Sequence, residues 1–252
     1  MKISIIIATY NSASTIKDTL DSILKQSYQN FEIVVVDGKS TDDTISIVRD
    51  YQQNFGPRLR FISERDKGIY DAMNKGILMS SGDVIGILNS DDFYTNENVL
   101  SIIAEAFKQY QIDAVYGDVH FVRPDNLNKQ VRYYSSKIFR PYLMRLGFMP
   151  AHPTFYLRKE SFTRLGLYKT DYKIASDFEF LLRAIFIHKI KILYLPVDMV
   201  TMRTGGVSTS GLKSHEIIMR EHLRAFKENG IYTNRFLLSL RYFYKLIEII
   251  KR

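Results

Sequence analysis

The chain has no cysteine and no tryptophan, only six prolines, and no long apolar run. Without cysteine there is no disulfide scaffold, no iron–sulfur or thiolate zinc site and no thiol nucleophile. The absence also fits a reducing compartment. No apolar stretch reaches the roughly 18 residues that span a bilayer. Lys2 followed by a short apolar segment that runs into polar residues does not make a secretory signal. There is no Gly-x-Gly-x-x-Gly and no Gly-x-x-x-x-Gly-Lys-[Ser/Thr], which argues against a Rossmann dinucleotide site and a P-loop. Repeats, low-complexity tracts and clear linkers are absent too.

What is present is a chain of 252 residues, 46% hydrophobic, sized for one large α/β domain with a short appendage. Lys and Arg number 35 against 27 Asp and Glu, a formal charge of +8. Such an excess suits a nucleotide, an anionic lipid surface or nucleic acid, or plain solubility. Apolar runs at 3–8, 31–36, 59–62 and 84–88 read as buried strands, with another strand at 114–116. Helical spacing fills the gaps, as in Ile16, Leu20 and Ile23, in Ile45 and Val48, over 69–78 and over 98–109. This βαβαβ order argues a mostly parallel sheet covered by helices. Further on, 130–134 reads as an edge strand, 143–150 as irregular, 176–187 as a helix and 190–194 as a strand. A Gly-rich loop at 204–208 precedes helices at 213–229 and 234–251.

In an open parallel sheet, ligands sit beyond the carboxyl ends of the strands. Polar residues collect there: Thr9-Tyr10-Asn11, then Asp37-Gly38 with Ser40-Thr41-Asp42, then Asn89-Ser90-Asp91-Asp92. Asp91-Asp92 is the most informative pair. Two adjacent carboxylates after a buried strand repel unless a cation intervenes. Mg²⁺ or Mn²⁺ takes one or two carboxylates and completes its shell with phosphate and water. In an arbitrary loop the same pair would more often cap a helix and meet solvent.

The segments Ser4–Asn11, Val35–Asp42 and Gly82–Asp92 together resemble the family 2 glycosyltransferases, which have a GT-A fold. The stretch Glu64–Gly76 resembles a subgroup found in bacterial capsule and O-antigen biosynthesis. The resemblance covers most of the chain to about residue 208. It implies a GT-A catalytic domain over 1–210, with a nucleotide-sugar half at about 1–120 and an acceptor half at about 121–210. Residues 211–252 are then a C-terminal helical extension.

The resemblance also implies roles. Thr9, Tyr10 and Asn11 become nucleotide contacts, and Asp37 accepts a hydrogen bond from a uracil ring N–H. Asp66 and Lys67 line the nucleotide-sugar cleft. Asp91 lies near the ribose and sugar, and Asp92 is the metal ligand. The family's Asp-x-Asp appears here as the Ser90-Asp91-Asp92 variant. The catalytic base falls in Ala175–Arg183, with Asp177 as the expected base and Glu179 as its alternative. On sequence alone, Asp177 is equally a first-turn helix residue favoured by the macrodipole. His152 matches an acceptor-side segment, though a lone His is more often a structural hydrogen-bonder. Gly205 and Gly206 belong to a loop, Thr204–Ser208, that would close over the diphosphate; Arg203 and His215 flank it and could reach phosphate or metal.

The implied activity is an inverting, Mg²⁺- or Mn²⁺-dependent transfer from a UDP-sugar to a hydroxyl of a polyprenyl-diphosphate-linked saccharide. A cytoplasmic enzyme peripheral to the inner membrane would meet such an acceptor. The C-terminal stripe Phe236, Leu240, Phe243, Ile247 and Ile250, with Arg241, Lys245, Glu248 and Arg252 opposite, suits either a membrane interface or a protein surface. Rival readings are a nucleotidyltransferase that makes a nucleotide sugar, or a non-catalytic nucleotide- or nucleic-acid-binding protein. The first lacks its Gly-rich phosphate loop. Nucleic acid is not expected as a partner, because acidic strand ends oppose a phosphate backbone and no recognition motif is present.

Overall fold

A computed structural model describes residues 1–205 and 211–241. Nine strands form one sheet: β1 (Ile3–Thr9), β2 (Phe31–Asp37), β3 (Leu59–Ser63), β4 (Val84–Ile87), β5 (Phe93–Tyr94), β6 (Ala114–Arg123), β7 (Asn126–Tyr134), β8 (Tyr156–Arg158) and β9 (Ile192–Arg203). The helices are α1 (Ile16–Leu24), α2 (Thr44–Phe55), α3 (Ile69–Met79), α4 (Val99–Gln109), α5 (Ser161–Leu165), α6 (Ser176–Leu181) and α7 (Gly211–Glu228). The spatial order is β3-β2-β1-β4-β8-β6-β9-β5, with β7 pairing onto β6.

The β3-β2-β1-β4 half is parallel throughout. β8 then pairs antiparallel with both β4 and β6. β6 therefore runs in the same direction as β4, and its carboxyl end joins the same edge. β6 and β9 are parallel along nearly their whole length.

Alternation along β1 explains why its sequence is apolar throughout. Successive side chains point to opposite faces of a strand. Ile3, Ile5 and Ile7 enter one core with Leu20 of α1, Val48 of α2 and Ile103 of α4. Ile6 and Ala8 enter the other core, with Met73 of α3, Phe178 of α6 and Phe226 of α7. Both faces are covered, so each residue of the strand is excluded from water.

The four parallel strands lie where the sequence pattern puts them. The second half departs from it. β6 runs on to Arg123, β7 starts at Asn126, and β9 extends from Ile192 to Arg203. Register shifts in the β6 pairings keep these long strands from showing a regular period. β8 and β5 are too short to carry any periodicity and gave no signal. The expected helix over 176–187 divides into α6 and a π-helical segment, Leu182–Ile187. α7 ends at Glu228, and residues 235–241 form the start of the next helix. Phe243, Ile247 and Ile250 of the C-terminal stripe lie outside the described residues. Among those described, no helix is long and apolar enough to cross a membrane.

Gly86 lets β4 approach β8. A Cβ at this position would lie 2.1 Å from Cε1 of Tyr156, a fully buried ring. Tyr156 is held in turn by a hydroxyl–hydroxyl contact with Tyr94. The ring therefore has no room to yield. Gly86→Ala is expected to destabilise the fold by about 3 kcal/mol, the upper range for overpacking. A urea midpoint equal to wild type would show that the two strands can part at no cost.

Candidate functional site

The loops after β1, β2 and β4 are stitched to one another. Gly38 donates its N–H to Thr9 O at 2.9 Å, and Asn11 its N–H to Ser40 Oγ at 2.8 Å. Thr41 N–H donates to Asn11 Oδ1 at 2.9 Å. Asn11 sits at φ 47°, a left-handed conformation that Asn tolerates better than most residues. The Ser12 N–H reaches Thr44 Oγ1 at 2.8 Å, and the Ser12 and Ser90 hydroxyls meet at 2.8 Å. This last contact ties the acidic loop after β4 to the other two.

Asp37 ends β2 fully buried. Its carboxylate accepts the Ser40 N–H at 3.0 Å, the Ser63 hydroxyl at 2.6 Å and the Ser40 hydroxyl. A carboxylate has about four acceptor positions, so one is left. Tyr10, Gly38 and Asp66 meet beside it. A Cβ on Gly38 would stand 2.7 Å from Asp66 Oδ2 and 3.4 Å from Tyr10 Cδ2. The Tyr10 ring is 62% exposed, a flat aromatic surface at the mouth of these loops. Asp66 Oδ1 accepts the Gly68 N–H at 2.9 Å, which opens α3, and Lys67 is exposed beside it. Thr9 is buried, and its hydroxyl has no partner among the described residues.

Asp92 is buried at the end of the β4 run, while Asp91 is half-exposed. Burial, and then the Asp91 carboxylate beside it, push the Asp92 carboxyl well above the usual range. Asn89 Nδ2 donates to Asp92 Oδ2 at 3.0 Å. Asn89 Oδ1 is buried without a partner among the described residues. The loop thus places an orphaned amide oxygen next to a buried carboxylate whose carboxyl is raised. This oxygen-only set suits a hard divalent cation. Among the described residues no group of three or more His, Cys, Asp or Glu forms a protein-only metal cage. Mg²⁺ or Mn²⁺ on a diphosphate needs no such cage.

Arg203, at the end of β9, braces this loop from behind. Its guanidinium donates to the Asp91 carbonyl, pairs with Asp18 of α1 and lies 5.2 Å over the Phe93 ring. Only 7% of its side chain is exposed. Arg203 therefore holds the backbone of the acidic loop. Gly205 follows it, exposed at φ +100°. Gly206 lies outside the described residues, and His215 is exposed on α7.

Asp177 opens α6 and is half-exposed. Burial pushes its carboxyl up to about 6, opposed by the Phe178 N–H that it accepts at 2.8 Å. Glu179, two residues on, is fully buried. The Arg183 Nε lies 2.9 and 3.0 Å from its two oxygens, and Lys169 pairs with it at 3.0 Å. A carboxylate so neutralised and enclosed does not meet an acceptor. The alternative placement of the base at Glu179 is therefore set aside. His152 is buried, its Nε2 is 2.9 Å from the Tyr168 hydroxyl, and burial lowers its imidazole to about 4. It is a neutral brace for Tyr168 rather than a cation facing phosphate. Sequence patterning gave no signal for Ser63, Tyr70 or Tyr168, whose roles come from contacts distant along the chain.

Loops of this kind at the carboxyl edge of such a sheet define a GT-A fold. The solved structures bear this out. S. aureus TarS 1–349 in complex with UDP-GlcNAc superposes with a TM-score of 0.72 at 22% identity, over 90% of this chain and 66% of that one. The mannosyltransferase PcManGT from Pyrobaculum calidifontis, in complex with GDP-Man and Mn²⁺, gives 0.64 at 22%, over 90% and 63%. The chain thus spans just under two-thirds of either. A PGL/p-HBAD biosynthesis glycosyltransferase from Mycobacterium tuberculosis is 30% identical over 218 residues, 86% of this chain and 82% of the relative. Residues 4–166 match the family described as Glycosyl transferase family 2. The chain belongs to that family, and it is a glycosyltransferase.

The two buried carboxylates of α6 and the acidic loop should respond differently to substitution. Glu179→Gln leaves Arg183 without its counter-charge and is expected to cost about 3 kcal/mol of stability. Chemical denaturation measures it. A variant as stable as wild type but inactive would return Glu179 to the chemistry.

Proposed function

We propose that the enzyme transfers a sugar from a UDP-sugar to a hydroxyl of a lipid-linked saccharide, with inversion and with Mg²⁺ or Mn²⁺ bound. The observation that carries this reading is the contrast at the strand edge. Asn89 keeps an unmet amide oxygen beside the buried, raised carboxyl of Asp92, and Asp177 keeps a half-exposed, raised carboxyl. TarS was solved with UDP-GlcNAc and PcManGT with GDP-Man and Mn²⁺, which supports a nucleotide-sugar donor and a divalent ion.

In this reading Tyr10 stacks on the base, and the last acceptor position of Asp37 takes the uracil N–H. Thr9 and Asn11 line the nucleoside, and Asp66 and Lys67 flank the sugar diphosphate. Asp92, with Asn89 beside it, holds the cation, and Asp91 stands near the ribose and sugar. The cation supplies charge neutralisation on the leaving diphosphate. Asp177 takes the proton of the acceptor hydroxyl. The freed oxygen attacks the anomeric carbon from the face opposite the nucleotide. That carbon's bond to the diphosphate breaks, and UDP departs with the electron pair. Arg203 keeps the acidic loop in place.

The acceptor side of the proposal rests on chemistry outside the sheet. Tyr232 and Phe236 are 75% and 71% exposed and flank Arg235, within a chain of charge +8. Exposed aromatics beside a cation suit the interface of an anionic bilayer. A polyprenyl-diphosphate-linked saccharide of surface polysaccharide assembly, such as O-antigen or capsule, would be presented there. The enzyme would then work at the cytoplasmic face of the membrane.

Two measurements test the chemistry. UDP with Mn²⁺ or Mg²⁺ is expected to raise the melting temperature, because a ligand of the native state stabilises it by mass action. EDTA or Asp92→Ala is expected to remove most of that shift. An undiminished shift in EDTA would sink the metal assignment. Asp177 is active as the carboxylate, so kcat/KM should be flat above its raised value of about 6 and fall about tenfold per unit below it. An ordinary carboxylate would put that limb near 4. Asp177→Asn should bind UDP normally and lose at least about 10²-fold in kcat. Full activity in that variant would rule the assignment out.

A further inference from the structure

Asp177 is held from behind by an element beyond the family match. Residues 168–175 form an irregular turn that delivers the chain into α6. Glu221 of α7 is buried beneath that turn, only 8% exposed. Its two oxygens accept three consecutive backbone N–H groups: Lys173 at 2.6 Å, Ile174 at 3.0 Å and Ala175 at 2.8 Å. Successive amides converging on one anion fix both the position and the tilt of the peptide planes. The Tyr70 hydroxyl donates to the carbonyl of Ile174, gripping the same stretch from the α3 side.

The same face of α7 continues the hold. Arg224 pairs with Asp171, and Glu228 accepts the Tyr172 hydroxyl at 2.9 Å and pairs with Lys169 at 2.8 Å. Positions 221, 224 and 228 are three and four apart, so they form one stripe along the helix. His222 stacks on Phe178, the residue after Asp177, with ring centroids 3.8 Å apart. The 173–175 turn, directly before α6, thus takes its geometry from Glu221.

The geometry points to Glu221 as a positioning residue for sugar transfer: by gripping the 173–175 amides it sets the Asp177 carboxylate against the acceptor hydroxyl. This inference rests on the reading of Asp177 as the base. Glu221 touches neither donor nor acceptor in it. It orients the base, and its negative charge also favours the protonated form of Asp177, adding to the effect of burial. The titratable groups around Asp177 are Glu221 of α7, Tyr70 of α3 and Tyr168, which His152 braces.

A misplacement of about 1 Å at a reacting group costs about 10²-fold in rate. Glu221→Gln removes the charge and turns an amide N–H₂ toward the backbone donors. It is expected to lower kcat by about 10²-fold while leaving donor KM and UDP-induced stabilisation as in wild type. The acid limb of its pH profile should move to lower pH. Glu221→Asp keeps the charge with a shorter reach, and should lower kcat while leaving the limb where it was. Wild-type kcat and limb in Glu221→Gln, with Asp177→Asn inactive, would overturn the inference and leave the base reading standing. An active Asp177→Asn would bring down the base reading, and this inference with it. Should Glu221→Gln fail to fold, Glu221→Asp decides: reduced kcat at unchanged donor KM supports the inference, and wild-type kcat refutes it.

Discussion

Burying a carboxylate against an apolar sheet is costly unless donors meet every oxygen. This protein faces that cost repeatedly, and how each case is resolved separates its scaffold from its site. At the amino edge, Glu32 is buried, which acts to raise its carboxyl, yet hydrogen bonds from Lys2, Ser4 and Ser81 hold it far below the usual range. Glu179 is answered by Arg183 and Lys169, and Glu221 by three backbone amides. These groups are matched within the chain, and each knits together segments distant in sequence. Asp92 and Asp177 differ in outcome: each accepts hydrogen bonds, yet burial outweighs them, and each sits at the carboxyl edge with a raised carboxyl.

Raised carboxyls of this kind cost stability and persist where function uses them. The surrounding bracing keeps them from relaxing. Arg203 holds the backbone at Asp91, the Ser12–Ser90 contact holds the next turn, and α7 holds the approach to Asp177. In the proposed reading a cation with a diphosphate would answer the first carboxylate, and an acceptor hydroxyl the second. Both halves of that reaction would then sit on one sheet edge, braced by elements that do not themselves react.

Much of this was readable from the chain. Both-sided burial forces continuous apolar runs, so β1, β2 and β4 announced themselves, and with them the polar strand ends. The acidic loop and Asp177 followed from the family pattern. The rest was hidden for identifiable reasons. β8 contributes three residues and β5 two, too few to show a period. β6 and β9 are interrupted by register shifts. The pairing of Glu179 with Arg183 has helical spacing, yet its burial depends on Lys169 and the 165–167 carbonyls, which no local pattern reveals. Glu221 lies 46 residues from Ala175, whose amide it holds, and looks like any charged residue of an amphipathic helix.

In the proposed reaction, a direct displacement, Asp177 activates the acceptor on the face opposite the nucleotide. The anomeric configuration of the first-formed product tests it most directly, read by proton NMR from the coupling at the anomeric position. With an α-linked UDP-sugar as donor, direct displacement gives a β-glycoside. An α-glycoside formed with retention would contradict it.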